Sequence, residues 1–131
     1  MVVLKGIPSI LSPELLFALA KMGHGDEVGM QIPALLEAIL KLFPLDSYVE
    51  RPAAVMDLVE SDKQRGLKVP VWDTYSKLLT DAGSQGDLEL VERFAFYERA
   101  RRAFAVVATG ETALYGNLII KKGVIPAGQL C

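Results

Sequence analysis

The chain is poor in the residues on which most small catalytic and metal sites are built. Its 131 residues include one histidine and one cysteine. Cys131 cannot close a disulfide within the chain, and one cysteine with one histidine cannot complete a tetrahedral zinc site. Reducing surroundings fit that scarcity. No apolar run reaches the roughly 18 residues of a membrane-crossing helix. The stretch from Met1 to Pro8 lacks a basic region followed by an apolar segment and a cleavage site. No export signal is therefore expected, and a cytoplasmic protein follows. There is no internal repeat and no low-complexity segment. The formal net charge of −2 and a pI near 5.4 argue against a general nucleic-acid role. The one basic cluster, Arg99, Arg101 and Arg102 beside Glu98, reads as a solvated or subunit-contact face of a helix.

What is abundant is apolar surface. Hydrophobic residues make up 51% of the chain and the mean hydropathy is +0.30, high for one domain of this size. Burial of the excess in an oligomer is expected. Ser12 and Pro13 read as the N-cap and first position of a helix that runs over Leu15, Leu16 and Leu19 and closes at Gly23. Ile32 and Pro33 open a second helix, with Leu35, Leu36, Ile39, Leu40 and Phe43 on one stripe and Pro44 as its stop. Short strands are expected at Asp46–Val49 and Ala54–Val59, and a polar loop from Ser61 to Lys68. A third helix starts at Pro70 and ends near Ala82 and Gly83, and a fourth covers Phe94–Ala103, with Val91–Phe96 equally readable as a strand. Phe104–Ala108 and Leu118–Ile120 carry the clearest β signal. Helices alternating with short strands give an α/β domain.

The lone histidine sits in Gly23-His24-Gly25-Asp26-Glu27, just past the expected end of the first helix. An imidazole on a bare glycine loop beside carboxylates can move protons near neutral pH. It can also simply cap the last carbonyls of the helix. Asp26 either orients His24 or caps backbone amides. Asp46 after Pro44-Leu45 has the position of an Asx turn, Tyr97 that of a core-edge aromatic, and Tyr115-Gly116-Asn117 that of a hairpin element.

Two separated blocks carry a family likeness. Pro8 to Glu27, and the run from Phe96-Tyr97-Glu98-Arg99-Ala100 through Ala108-Thr109-Gly110-Glu111-Thr112-Ala113-Leu114-Tyr115-Gly116-Asn117, resemble the ribose pyranase and fucose mutarotase family in its vertebrate form. Pro44-Leu45-Asp46-Ser47-Tyr48-Val49-Glu50 and Pro70-Val71-Trp72 fit between them. Phe96-Tyr97 and Tyr115-Gly116-Asn117 fit the fucose branch better than the ribose branch. The resemblance implies a single three-layer α/β domain, with a central mixed sheet flanked by helices. It also implies an isomerase that exchanges the α and β anomers of L-fucose without cofactor or metal. On that likeness His24 matches a catalytic proton donor, and Asp46 and Tyr97 match catalytic positions. Tyr115 and Asn117 match sugar-binding positions, and Met56 lines the pocket. The partners implied are a monosaccharide and further copies of the chain, in rings that are commonly decamers with sites completed across subunits; no nucleic acid or membrane is implied.

The chain departs from that pattern once. The family runs from Gly-Asp-Glu into an apolar strand, a turn and a long loop before the second helix, whereas here Val28 leads at once to Gly29-Met30-Gln31-Ile32-Pro33. About two dozen residues are missing, more than ordinary loop variation allows. With them go a sugar-binding aspartate and a buried strand. Either the chain is a shortened form or a segment is omitted from the sequence. If the deletion is real, the expectation is a gap in the sheet, a loss of several kcal/mol from a margin of about 5–15 kcal/mol, and weakened catalysis that leaves a sugar-binding or oligomer-joining subunit.

Overall fold

The computed structural model describes residues 4–30, 33–109 and 112–129. Gln31, Ile32, Gly110, Glu111 and Cys131, on which parts of the sequence reading fall, lie outside them. Helix α1 (Pro13–Lys21) begins as its cap residues require: the Ser12 hydroxyl accepts the Leu15 N–H at 3.1 Å and Pro13 occupies the first turn. Strand β1 (Glu27–Met30) follows, then α2 (Pro33–Leu40), β2 (Ala53–Met56), α3 (Glu60–Gln64) and α4 (Pro70–Asp81). The chain continues through β3 (Glu89–Val91), α5 (Arg93–Arg101), β4 (Ala105–Val106) and β5 (Leu118–Lys121). Val91 closes a strand, and α5 starts two residues later, where the Glu92 carboxylate accepts the Ala95 N–H at 3.0 Å.

Several expectations are corrected. Asp46–Val49 is not a strand, because Asp46 Oδ1 accepts the Tyr48 N–H at 2.9 Å in an Asx turn; only Leu45 bridges to Lys122. Ser61–Lys68 is not all loop, since α3 occupies its first half. The acidic first turn of α3, Glu60 and Asp62, suits a helix start, and an exposed helix shares the polarity of a loop. The β signal of Phe104–Ala108 yields only two paired residues, at the edge of the sheet. Gly23 does not close α1 in a left-handed conformation; Met22 leaves the helix extended, and the positive φ falls on Gly25, at +86°.

The five strands lie in the order β3-β2-β5-β1-β4. β5 runs antiparallel to both β1 and β2, while β1 with β4 and β2 with β3 are parallel pairs. Register puts Val28 opposite Ile120 and Ile120 opposite Ala53, with Met30, Leu118 and Val55 in the next row of the same face. That face packs with Leu19 of α1, Leu35, Leu36 and Ile39 of α2, and Tyr75 and Leu79 of α4. The other face presents Ile119 and Met56 to Phe96 of α5. Two helical layers around a mixed sheet result. The expected gap is not there: Glu27–Met30 itself fills the position between β5 and β4, with Val28 fully buried. A four-residue segment suffices because a strand paired on both sides satisfies its backbone and buries its side chains whatever follows it.

Candidate active site

His24 stands on the loop between α1 and β1, and Asp46 follows the turn after α2. The structure brings them together, with His24 Nε2 3.1 Å from Asp46 Oδ1. The Asp46 side chain is 4% exposed, whereas the imidazole side chain is 38% exposed. A buried acceptor thus holds one ring nitrogen while the rest of the ring reaches solvent. The Tyr48 ring meets the imidazole edge to face, with centroids 4.9 Å apart. Burial works to raise the Asp46 carboxyl. The Tyr48 N–H, the hydrogen bond and charge of His24, and the charge of Lys121 outweigh burial and leave that carboxyl below its ordinary value.

The contacts show which groups cap the backbone around this loop. His24 is not the cap of α1, because the Lys122 ammonium donates to the carbonyls of Leu19 and Met22 at 2.8 and 2.7 Å. Asp26 caps backbone instead of orienting the imidazole, accepting the Gly23 N–H at 2.7 Å. Asp46 forms the expected Asx turn, and the oxygen that accepts the Tyr48 N–H is also the one that faces His24.

The other residues singled out from the sequence gather elsewhere. Tyr97 is half exposed on α5, its ring edge to face with Phe94 at 6.3 Å. Together with Asn117 it lines a cleft of about 360 Å³ near Met30 and Leu118. Met56 is buried with Phe96 and Ile119 in a cluster against which Tyr115 packs. The Tyr115 phenol donates to the Asp62 carboxylate and accepts the Val59 N–H at 3.3 Å. The Asp62 bond holds the phenol above its ordinary titration range, and the same bond, with Arg65, holds Asp62 below its own. Since Glu27 pairs with Lys121 and Met30 with Leu118, the His24 loop and the Tyr97–Asn117 cleft flank opposite ends of β1. About 10 Å of strand separates those ends.

Tyr115 takes φ +57°, where a side chain is disfavoured, and α4 holds it there. The Trp72 indole N–H donates to the Tyr115 carbonyl at 2.9 Å, and the fully buried Tyr75 hydroxyl donates to the Gly116 carbonyl at 2.6 Å. Tyr75→Phe should therefore cost about 1–3 kcal/mol in urea unfolding by leaving a buried carbonyl unpaired. It should also weaken any ligand contact made by Tyr115 or Asn117, which isothermal titration with L-fucose would report.

Sequence reasoning missed Lys122, Tyr48, Asp62 and Trp72. Only Asp62 had a local signal, the acidic first turn of α3; the Lys122 contacts span about 100 residues and leave no trace in spacing. Arg99 is not the solvated side chain that is one of the expectations for it. It is half-buried and reaches across to β1, where its guanidinium meets the Glu27 carboxylate at 2.7 Å. Arg101, by contrast, pairs with Glu98 in solvent. Among the described residues no group of His, Cys, Asp and Glu could hold a metal ion, and no helix is long and apolar enough to cross a membrane.

A buried carboxylate against one nitrogen of a half-exposed imidazole orients the ring and leaves its other nitrogen open to a ligand. The chain is 62% identical to a fucose mutarotase of Danio rerio and 57% identical to one of Homo sapiens, over 100% and 99% of both sequences. The Danio alignment spans 154 positions against 131 residues here, so about two dozen positions of that relative have no counterpart. The fold superposes with TM-score 0.86 on the fucose mutarotase of Streptococcus pneumoniae solved in complex with L-fucose. That protein is 39% identical, and the match covers 93% of this chain and 99% of the other. Bacillus subtilis RbsD, solved with D-ribose, shares the fold alone, at 18% identity and TM-score 0.63 over 88% of this chain and 95% of the other. Residues 28–125 match the RbsD / FucU transport protein family, and it is to this family that the chain belongs.

Proposed function

We propose that this protein is an L-fucose mutarotase, and that the contact between His24 and the buried Asp46 carboxylate is the observation that carries the chemistry. Opening the pyranose requires removal of the proton on the anomeric hydroxyl and delivery of a proton to the ring oxygen as the bond from that oxygen to the anomeric carbon breaks. The open aldehyde then turns, and closure on its opposite face returns both protons. His24 exchanges a proton with the sugar through the ring nitrogen that Asp46 does not hold. Asp46 orients the imidazole, and Tyr97 is the second proton-handling group. Tyr115, Asn117 and Met56 contact the sugar, and no cofactor or metal takes part. The reading places this activity in the cytoplasm.

The two clusters at opposite ends of β1 support a site completed between copies, with His24 and Asp46 from one and the Tyr97–Asn117 cleft from another. Light scattering at micromolar concentration should therefore show an oligomer, and a stable monomer that remains active would remove this part of the reading. Exchange between anomeric proton signals tests the substrate: the purified chain should accelerate L-fucose well beyond D-ribose. The reverse order would favour a ribose pyranase. The unmatched positions in the Danio alignment favour a second reading, a catalytically weak shortened form that binds sugar or joins an oligomer. It predicts L-fucose binding with exchange left at the spontaneous rate.

A further inference from the structure

We propose that Lys122 and Gly123 form the positioning element of the His24–Asp46 pair, a role that rests on reading the pair as the proton-transfer centre. Neither His24 nor Asp46 stands on a helix or strand. Both loops hang on the strip of main chain that leaves β5. On one side the Lys122 N–H donates to the Asp26 carbonyl, and the Lys122 carbonyl accepts the Gly25 N–H, both at 2.8 Å. On the other side the Asp46 N–H donates to the Lys121 carbonyl at 3.0 Å and the Gly123 N–H to the Pro44 carbonyl at 2.7 Å. The separation of imidazole and carboxylate is thus set by what passes between them.

The Lys122 side chain adds a third attachment. Because Met22 leaves α1 extended and Gly23 is not left-handed, the backbone N–H groups that usually fold back over the last carbonyls are not supplied. The ammonium replaces them at Leu19 and Met22, and its charge meets the negative end of the helix. This ties the residues that enter the His24 loop to the strip that also holds its exit. Gly123 controls the opposite side. A Cβ there would stand 2.3 Å from the Leu45 carbonyl oxygen and 2.8 Å from Asp46 Cα, both of them backbone atoms. Glycine is needed for space at this position, since its φ is not in the left-handed region. Any side chain must push the Asp46 loop off the strip.

Three variants test the proposal. Lys122→Met removes the ammonium and keeps an apolar stem, Lys122→Arg keeps a cationic donor, and Gly123→Ala adds only the Cβ. Lys122→Met and Gly123→Ala should each lower kcat for L-fucose exchange roughly 10-fold or more while KM changes less than about 2-fold, and Lys122→Arg should recover most of the loss. Loosening Asp46 from His24 removes one of the interactions that keep its carboxyl low, so the acid limb of the kcat profile should move to higher pH. In sugar-free protein the His24 Hε1 resonance should shift from its wild-type position while circular dichroism stays unchanged. That arm does not depend on turnover. An inactive wild-type chain would end the mutarotase reading, whereas a shifted resonance would still support the positioning role. A wild-type His24 resonance with wild-type kcat in Lys122→Met would overturn the proposal, even if Gly123→Ala fails to fold.

Discussion

His24→Ala is expected to reduce L-fucose anomer exchange to the spontaneous rate, a loss of about 10²–10⁴-fold, the usual contribution of a positioned acid or base. The argument is one of supply as well as geometry. No other imidazole exists in the chain, and no second side chain of similar unperturbed pKa can take its place. The loop tolerates the change, because its backbone is held by Gly25 and Lys122 and its entry by the Lys122 ammonium. Circular dichroism and light scattering should therefore match the wild type. Full activity in a folded His24→Ala protein, read by saturation transfer between the anomeric protons, would remove the proton-transfer role.

Asp46→Ala should act on both stability and rate. The carboxylate is buried and serves two donors through one oxygen, so its removal leaves the Tyr48 N–H without its acceptor and the imidazole without its orienting group. A loss of about 1–3 kcal/mol in urea unfolding is expected. Misorientation of His24 by about an ångström is enough for a further loss near 10²-fold in turnover. Asp46→Asn keeps an oxygen for Tyr48 and should be milder in stability while remaining slow. The pH dependence has a definite sign. The folded chain holds this carboxyl below its ordinary 3.8, so it binds the proton less readily folded than unfolded. Its contribution to stability is complete above the unfolded value and is lost as pH falls through the folded one. The stability difference between wild type and Asp46→Asn should therefore hold steady at neutral pH and shrink as the pH falls below the ordinary carboxyl value of 3.8. A difference that stays constant through that fall would show that the carboxylate charge contributes nothing.

Where local chemistry decides structure, the sequence was readable. Ser12 and Pro13 start α1, Pro70 starts α4, and the β-rich run at Leu118 becomes β5, the strand on which the sheet is centred. Where a long-range partner decides, it was not. Nothing near Gly23 signals that an ammonium about 100 residues away caps α1, so a left-handed glycine was the natural expectation. Asp46–Val49 alternates like a strand, but a side-chain bond within the segment makes it a turn. The gap inferred after Val28 failed for a related reason: strand β1 is defined by its pairing with β4 and β5, which a comparison of segment lengths does not reveal. The candidate site was legible as a set of residues, while its division between two ends of β1 came only with the register of the sheet.

Saturation transfer between the α and β anomeric protons of L-fucose, recorded with the purified full chain at several concentrations, tests the central claim most directly. The account predicts an exchange rate that rises in proportion to protein concentration and disappears with His24→Ala. An exchange rate equal to that of sugar alone, in the presence of a folded and oligomeric chain, would contradict it.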